Sequence, residues 1–193
     1  PAISIQKSGS WTFGSPSVLW MFHREPGGLV GELQEMKECM PHYYRITDGH
    51  GQGAERIMSA EADYMQGRFV DAQIALENTY LHIAESGQIN MILCCDFLAL
   101  RLSLCMDLPL RYGTEERRKT LMQQHNMMWL NLYDSACGFH YALAGQTEQI
   151  PALFREHRLS TVSFLALGKP MMEVIENQVY LAQGAYAAVI GRS

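Results

Sequence analysis

Glycine and proline divide this sequence into stretches of helical length, and this punctuation constrains the fold more than any other feature. Ser15-Pro16 is typical of a helix start, because a capping residue precedes a proline in the first turn. We predict helices over residues 17–25, 29–40, 54–66, 69–85, 89–106, 114–124, 125–144, 148–157 and 170–183, and a last one that begins near 186. The second helix is predicted to stop at Pro41, and residues 158–169 fit either a strand or a helix. The chain is therefore expected to be all-α, with antiparallel helices joined by tight turns.

Some of the helix-ending glycines recur at a fixed interval. Five positions spaced 39 residues apart carry glycine at four of them, Gly28, Gly67, Gly145 and Gly184. The remaining position of this 39-residue grid is Met106, which we call its empty position. Small residues, which let paired helices approach closely, stand seven positions before three grid points, at Ala60, Ala99 and Gly138. The interval predicts one domain over 1–193 that contains about five helical hairpins, the last of them truncated.

The clearest repeat is Ala-Glu-Ala-Asp-Tyr-Met-Gln-Gly-Arg-Phe-Val-Asp-Ala at 60–72, which resembles the tetratricopeptide (TPR) signature. A small residue, an aromatic residue, a turn glycine, a second aromatic residue and an alanine follow in the family's order. The period is longer than the usual 34 residues, and the signature Trp and the terminal Pro are missing. The resemblance implies a right-handed superhelical solenoid of TPR-like hairpins with a period of about 39 residues.

Long, degenerate repeats of this kind look like the central sensor region of MalT-like, LuxR-type transcriptional regulators. Residues 10–22, Ser-Trp-Thr-Phe-Gly-Ser-Pro-Ser-Val-Leu-Trp-Met-Phe, and residues 49–55, Gly-His-Gly-Gln-Gly-Ala-Glu, are similar to stretches in bacterial members of that group. In that family the repeats lie between an ATP-binding switch domain and a C-terminal helix-turn-helix. This sequence has no GxxxxGK[ST] phosphate loop and no recognisable DNA-binding helix pair. The resemblance thus implies that this chain is a fragment of a larger regulator and contains only its repeat region.

Charge and cysteine content limit the compartment and the partners. The net charge is −5 and the 15 basic residues are scattered, which argues against direct contact with nucleic acid. Five cysteines without a framework spacing indicate reduced thiols in a cytoplasmic protein. The apolar stretch 89–106 carries Asp96 and Arg101, so a buried helix is expected there and no membrane contact. No signal peptide is visible.

Motifs for catalysis, cofactors and metals are weak or missing. Residues 49–54 contain G-x-G-x-x-A, but the preceding 43–47 is at best a short extended stretch and no βαβ pattern follows. The nearest metal pattern is His82 and Glu85 on one helix face, for which surface pairing is the simpler interpretation. HExxH and GxSxG do not occur in the sequence. We expect a protein that is not an enzyme and that uses no cofactor or metal.

Isolated charges on apolar helices are the candidate site. A buried charge must be paired or face a wet cavity, since unpaired burial costs several kcal/mol. The 39-residue interval brings Asp96 beside Asp134 and Arg101 beside Glu61, either as a ladder of salt bridges between repeats or as the wall of a ligand groove. Trp20 belongs to an aromatic group that either caps the first repeat or stacks on a ligand such as a sugar. The candidate ligand-binding residues are Trp20, Glu61, Asp96, Arg101, Asp134 and His140.

These features lead to one functional hypothesis and one alternative. The first is a non-enzymatic domain of a MalT-like regulator that senses a small-molecule effector, such as a sugar, and contacts the other domains of the parent chain. Effector binding would control ATP-dependent self-association and DNA binding located elsewhere in that chain. The alternative is a generic TPR-like scaffold that binds a protein or peptide in its concave groove. Self-association of the chain itself is left open.

Overall fold

The computed structural model describes residues 33–34, 37–38, 40–42, 44–46, 48, 52–84, 89–109, 114–124, 127–158 and 169–191. Over these residues the secondary structure is helical and contains no strand, which confirms the all-α class for this part of the chain. The helices are α1 (Ala54–Met65), α2 (Phe69–Ala84), α3 (Ile89–Met106), α4 (Thr114–Gln123), α5 (Met127–Leu143), α6 (Ala152–Arg155), α7 (Lys169–Ala182) and α8 (Tyr186–Ile190). A 3-10 turn spans Thr147–Gln149. Among the described helices none is long and apolar enough to span a membrane.

Two predicted helix boundaries are wrong, and both involve proline. Pro41 does not stop the preceding helix, because residues 40–42 and 44–46 are all helical; this also excludes the extended stretch expected near Tyr44. The predicted helix 148–157 is instead split at Pro151. This proline holds Ile150 in an extended conformation, with φ −59° and ψ 132°, so the chain forms a 3-10 turn and then starts the short α6. The predicted helix 17–25 and the ambiguous 159–168 lie outside the described residues.

The chain divides into two compact units, residues 1–108 and 109–193. In the first unit, α1 and α2 pack against each other and α3 packs on both. A Cβ added to Gly53, which precedes α1, would lie 2.7 Å from Cγ2 of Ile83 near the end of α2, so the two helices are antiparallel. Ala60 and Ala72 are fully buried, which shows how these helices approach closely.

The second unit is built around α5. Helix α4 packs along one side of α5 and α7 along another, while the 3-10 turn contacts α5 and α7. Helix α6 packs on α7, and α8 follows as its neighbour. Gly138 in the middle of α5 lies against Phe154 and Ile175, and a Cβ at this position would come within 3.2 and 3.3 Å of them. Residue 138 is therefore a contact point between α5, α6 and α7 where only glycine fits without displacing a neighbour.

Three of the predicted glycine turns have the same geometry. Gly67, Gly145 and Gly184 adopt φ values of 76°, 70° and 72° directly after α1, α5 and α7. In each turn the glycine N–H donates to the carbonyl three residues back, and the next N–H donates to the carbonyl five residues back, at N···O distances of 2.8 to 3.2 Å. This is the Schellman end of a helix, which requires a left-handed residue. Gly28 lies outside the described residues.

Two further turns use the same conformation without glycine. Asp107 ends α3 with φ 50°, and the Leu108 N–H donates to the Ser103 carbonyl at 3.1 Å. This turn comes one residue after the empty position of the 39-residue grid. His157 follows α6 with φ 53° and the same pair of hydrogen bonds as the glycine turns. A search for glycine alone therefore misses both turns.

Candidate functional site

In the first unit, Glu61 of α1 and Arg101 of α3 form a buried ion pair. The Glu61 side chain is 0% exposed and that of Arg101 is 8% exposed. Arg101 Nη2 donates to Glu61 Oε1, and its Nε donates to the Phe97 carbonyl at 3.3 Å. The contact between positions 61 and 101 that the sequence interval predicted is confirmed.

Tyr64 and Cys105 enclose this ion pair on one side. The Arg101 guanidinium carbon lies 4.8 Å from the centroid of the Tyr64 ring, a cation–π contact. The Cys105 thiol donates to the Tyr64 hydroxyl at 3.8 Å. Burial is the main cause that raises the pKa of Tyr64 to about 12, so the phenol stays protonated at neutral pH. The cluster has the geometry of a structural salt bridge between helices.

Asp96 of α3 is also buried, and its partner is a phenol. The Tyr80 hydroxyl on α2 donates to Asp96 Oδ1 at 2.7 Å, and the Tyr80 side chain is itself buried. Asp96 lies in the first unit and Asp134 in the second, so the expected neighbourhood of these two carboxylates stays a prediction.

In the second unit, Asp134 of α5 is held by Arg118 of α4. Arg118 Nε donates to Asp134 Oδ1 at 2.8 Å and Nη2 donates to Oδ2 at 3.1 Å, which is a bidentate contact. The hydrogen bond to Asp134 is the main cause that raises the pKa of Arg118. Burial raises the pKa of Asp134 above its ordinary value, and Arg118 opposes this shift without cancelling it. The ion pair with Arg118 thus compensates only partly for the loss of water around the Asp134 carboxylate.

The contacts of Asp96 and Asp134 share one sequence spacing. Each aspartate accepts its hydrogen bond from a residue 16 positions earlier, on the preceding helix. Each also lies 11 positions before a left-handed residue, Asp107 for Asp96 and Gly145 for Asp134. The same contact is therefore present in both units, with a tyrosine donor in one and an arginine donor in the other.

A pocket of about 370 Å³ opens at the Arg118–Asp134 pair. Its buried lining comes from α5 and from the chain that follows it, namely Tyr133, Cys137, Tyr141 and Ile150. Its exposed lining carries charge, from Glu115 at the start of α4, Glu148 in the 3-10 turn and Arg155 at the end of α6. Within the described residues these three side chains make no hydrogen bond or ion pair. The volume lies in the lower part of the range typical of small-molecule sites, about 300–1,000 Å³.

The other two predicted site residues are placed differently. His140 is buried on α5, and its ring packs edge-on against Tyr141 with centroids 5.2 Å apart. It does not line the pocket itself, although its neighbour Tyr141 does. Trp20 lies outside the described residues.

Sequence reasoning missed most of the pocket. Arg118 and Glu115 belong to the highly charged stretch 114–120, which is typical of a solvated helix face. Glu148 and Arg155 belong to the predicted helix 148–157, which is split at Pro151. The 16-residue spacing between an aspartate and a donor on the preceding helix is the signal that could have identified Arg118. No signal in the sequence brings residues 148–155 to α5.

The pocket is suited to hold a small polar molecule by hydrogen bonds and charge. In the part of the chain that is described, no group of three or more His, Cys, Asp or Glu side chains is arranged to hold a metal ion. The lining contains one thiol, Cys137. Comparisons of the chain with models of known protein families, with curated proteins and with solved structures find no match.

Proposed function

We propose that this chain is a non-enzymatic helical-repeat domain that binds a small polar effector in the Arg118–Asp134 pocket. The single observation that carries the proposal is this pocket, in which a half-buried ion pair adjoins aromatic walls and an exposed charged edge. Small-molecule sites combine a largely apolar lining with a few fixed polar groups in this way. The bidentate contact holds Arg118 and Asp134 in place before any ligand arrives, so these two side chains need no ordering on binding.

The contact that recurs in the two units supports a repeat architecture. A hairpin that carries an aspartate against a donor 16 residues earlier is used twice, and glycine turns of one geometry end three helices. We extend this to a right-handed solenoid of TPR-like hairpins, in which one copy of the aspartate contact has acquired a pocket. In repeat proteins such divergence is inexpensive, because each repeat contacts only its neighbours.

The proposed biological role is that of the sensor region in a MalT-like, LuxR-type regulator. It rests on the TPR-like stretch 60–72 and on residues 10–22 and 49–55. Effector binding would favour one arrangement of the parent chain and thereby license ATP-dependent self-association and DNA binding in its other domains. The effector must bind that arrangement more tightly than the resting one, because equal affinity shifts no equilibrium.

A thermal-shift screen tests the proposal directly. The chain is heated with sugars, oligosaccharides, nucleotides, amino acids and short peptides, and a binder raises the melting temperature saturably. The shift is expected to disappear in Glu148→Gln or Arg155→Gln, since both side chains line the pocket and are exposed. Arg68→Gln, in the first unit, is the matched control and should leave the shift unchanged. A shift that survives both pocket variants would refute this site.

An apolar face on α2 favours the alternative of a protein-binding scaffold. Val70, Ile74 and Leu81 are 62%, 56% and 70% exposed. Their spacing places all three on one side of the helix, as in helices that bury that side against a partner. If the scaffold role is correct, Ile74→Glu abolishes binding of the protein or peptide partner in a pull-down. It should leave the melting temperature close to that of the wild type, because residue 74 contributes nothing to the core.

A further inference from the structure

The distribution of charge around the pocket indicates what kind of effector it takes. We propose that the pocket binds a small zwitterion of the amino-acid type, with its carboxylate at Arg155 and its ammonium group at Glu148 and Glu115. This inference rests on the proposed function and specifies the ligand of the same site. It follows from three properties of the pocket, which concern the ion pair, the exposed charges and the buried lining.

The first property is that Arg118 is already occupied. Two of its nitrogens donate to the two oxygens of Asp134, and Nη1 lies 3.6 Å from the Met122 sulfur. Its positive charge is therefore matched inside the pocket, and an incoming anion gains little from it. The exposed charges, and not the buried pair, determine which ligand charge is favoured.

The second property is that the exposed charges have both signs. Arg155 supplies one positive charge, and Glu115 and Glu148 supply two negative charges. Arg155 and Glu148 make no hydrogen bond or ion pair among the described residues, whereas Glu115 also acts on the charge of Arg118. A ligand with only a carboxylate meets two like charges, and a ligand with only an ammonium group meets one. Like charges at a binding surface act against the wrong ligand, so a molecule that carries both groups is preferred. A neutral sugar would leave Arg155 and Glu148 without a counter-charge.

The third property is that the buried lining is mostly aromatic and aliphatic. Tyr133, Tyr141 and Ile150 are buried there, beside Cys137. Such a lining suits an apolar side chain, because its transfer from water contributes about 25 cal/mol per Å² of buried apolar area. A volume of about 370 Å³ accommodates a free amino acid or a dipeptide. An amino acid with an aliphatic or aromatic side chain satisfies all three properties.

Protection of Cys137 from alkylation tests this inference on the full chain. The thiol lines the pocket, so a bound ligand slows its reaction with iodoacetamide, and mass spectrometry of the Cys137 peptide separates it from the other cysteines. The probes are L-leucine and L-phenylalanine, with two singly charged relatives of leucine, isoamylamine and 4-methylpentanoate, and with maltose. We expect saturable protection by the amino acids and at least about tenfold weaker protection by either singly charged compound, since each lacks one charged hydrogen bond.

Two variants assign the charges. Arg155→Gln should reduce the affinity for leucine to that for isoamylamine, because the carboxylate has lost its partner. Glu148→Gln should reduce it towards that for 4-methylpentanoate. Arg158→Gln, which removes the exposed pair with Glu156, is the matched control and should change nothing. All three positions are exposed, so the melting temperature should stay near the wild-type value in each variant.

The outcomes separate this inference from the proposed function. Equal protection by isoamylamine and leucine, or by 4-methylpentanoate and leucine, overturns the zwitterion. Protection by maltose without protection by amino acids also overturns it, and leaves the effector pocket standing. If none of the probes protects Cys137 and the wider thermal-shift screen is silent, both proposals are wrong.

Discussion

Each of three buried carboxylates has a different donor. Glu61 contacts a buried guanidinium, Asp96 a buried phenol, and Asp134 a half-exposed guanidinium. Desolvation of a carboxylate is costly in every case, and the donor determines how much of that cost is recovered. The two aspartates occupy equivalent places before a turn, and Asp134 borders the pocket of about 370 Å³. The tyrosine donor of Asp96 and the arginine donor of Asp134 are thus two versions of one contact.

The Glu61–Arg101 pair allows a direct test of buried against exposed charge. We expect Arg101→Met to lower the free energy of unfolding by about 3–5 kcal/mol, because it leaves Glu61 buried without its guanidinium partner. Arg68→Met is the matched control, since it removes an exposed pair with Asp63 that contributes less than about 1 kcal/mol. Urea denaturation measures both. Equal losses in the two variants would show that residue 101 is solvated.

The Arg118–Asp134 pair predicts a dependence of stability on pH. In Arg118→Gln the opposing cation is gone, so burial raises the pKa of Asp134 further. The folded state then binds the proton more tightly than the unfolded chain. The contribution of Asp134 to stability is therefore complete below its ordinary pKa of 3.8 and is lost as the pH rises through the folded-state pKa. The slope is at most about 1.4 kcal/mol per pH unit, the limit for one proton.

Unfolding free energies measured between about pH 4 and about pH 7 test this sign. Relative to the wild type, Arg118→Gln should lose stability steadily as the pH increases. The double variant Arg118→Gln with Asp134→Asn removes the titrating group and should lose this slope. Arg118 itself stays protonated throughout this range, since its pKa is raised, and so contributes no slope of its own. A difference between variant and wild type that is constant with pH would contradict the assignment.

At the residue level, the sequence predicted which charged side chains are buried better than it predicted which side chains they contact. An isolated charge in an apolar helix must be buried, and this reasoning identified Glu61, Asp96, Arg101 and Asp134 correctly as buried side chains. It found the 61–101 contact because the two positions are separated by nearly one interval of the repeat. It missed Tyr80 and Arg118, because a phenol carries no formal charge and an arginine among other charges does not stand out.

At the level of elements, the turns offer a paired prediction. Gly145→Ala should lower the free energy of unfolding by about 1–2 kcal/mol, because an L residue at φ 70° is strained although no atom lies within 4 Å of the added Cβ. Asp107→Gly should raise it by a few tenths to about 1 kcal/mol, because it relieves the same strain at φ 50°. Thermal unfolding of both variants measures the two signs. Gly145→Asn serves as the control and should cost less than Gly145→Ala, since asparagine tolerates this conformation.

The elements also show where a sequence pattern stops being informative. Glycine spacing located three turns correctly, since an open left-handed position favours glycine so strongly. It could not locate the turns at Asp107 and His157, because residues other than glycine also adopt this conformation there. Proline, by contrast, did not reliably mark the end of a helix. Pro41 is accommodated within helical residues, whereas Pro151 separates a 3-10 turn from a helix.

At the level of the whole molecule, the division into two units predicts that the pocket belongs to the second unit alone. All its lining residues fall between 115 and 155, inside unit 109–193. That fragment contains a single cysteine, Cys137. We expect its thiol to react with Ellman's reagent at least about a hundredfold more slowly in buffer than in denaturant, because the folded unit leaves only 4% of Cys137 exposed and the reagent reaches it only through the pocket. Equal rates would show that 109–193 does not fold by itself.

The open glycine turns also make the protein easy to extend with reporters. At Gly67 and Gly145 an added Cβ meets no atom within 4 Å, so a short inserted peptide leaves the core of either unit undisturbed. One turn lies in each unit. A dye-binding peptide after residue 67 and a second one after residue 145 would convert the chain into a fluorescence sensor, whose energy transfer changes when an effector alters the distance between the two dyes.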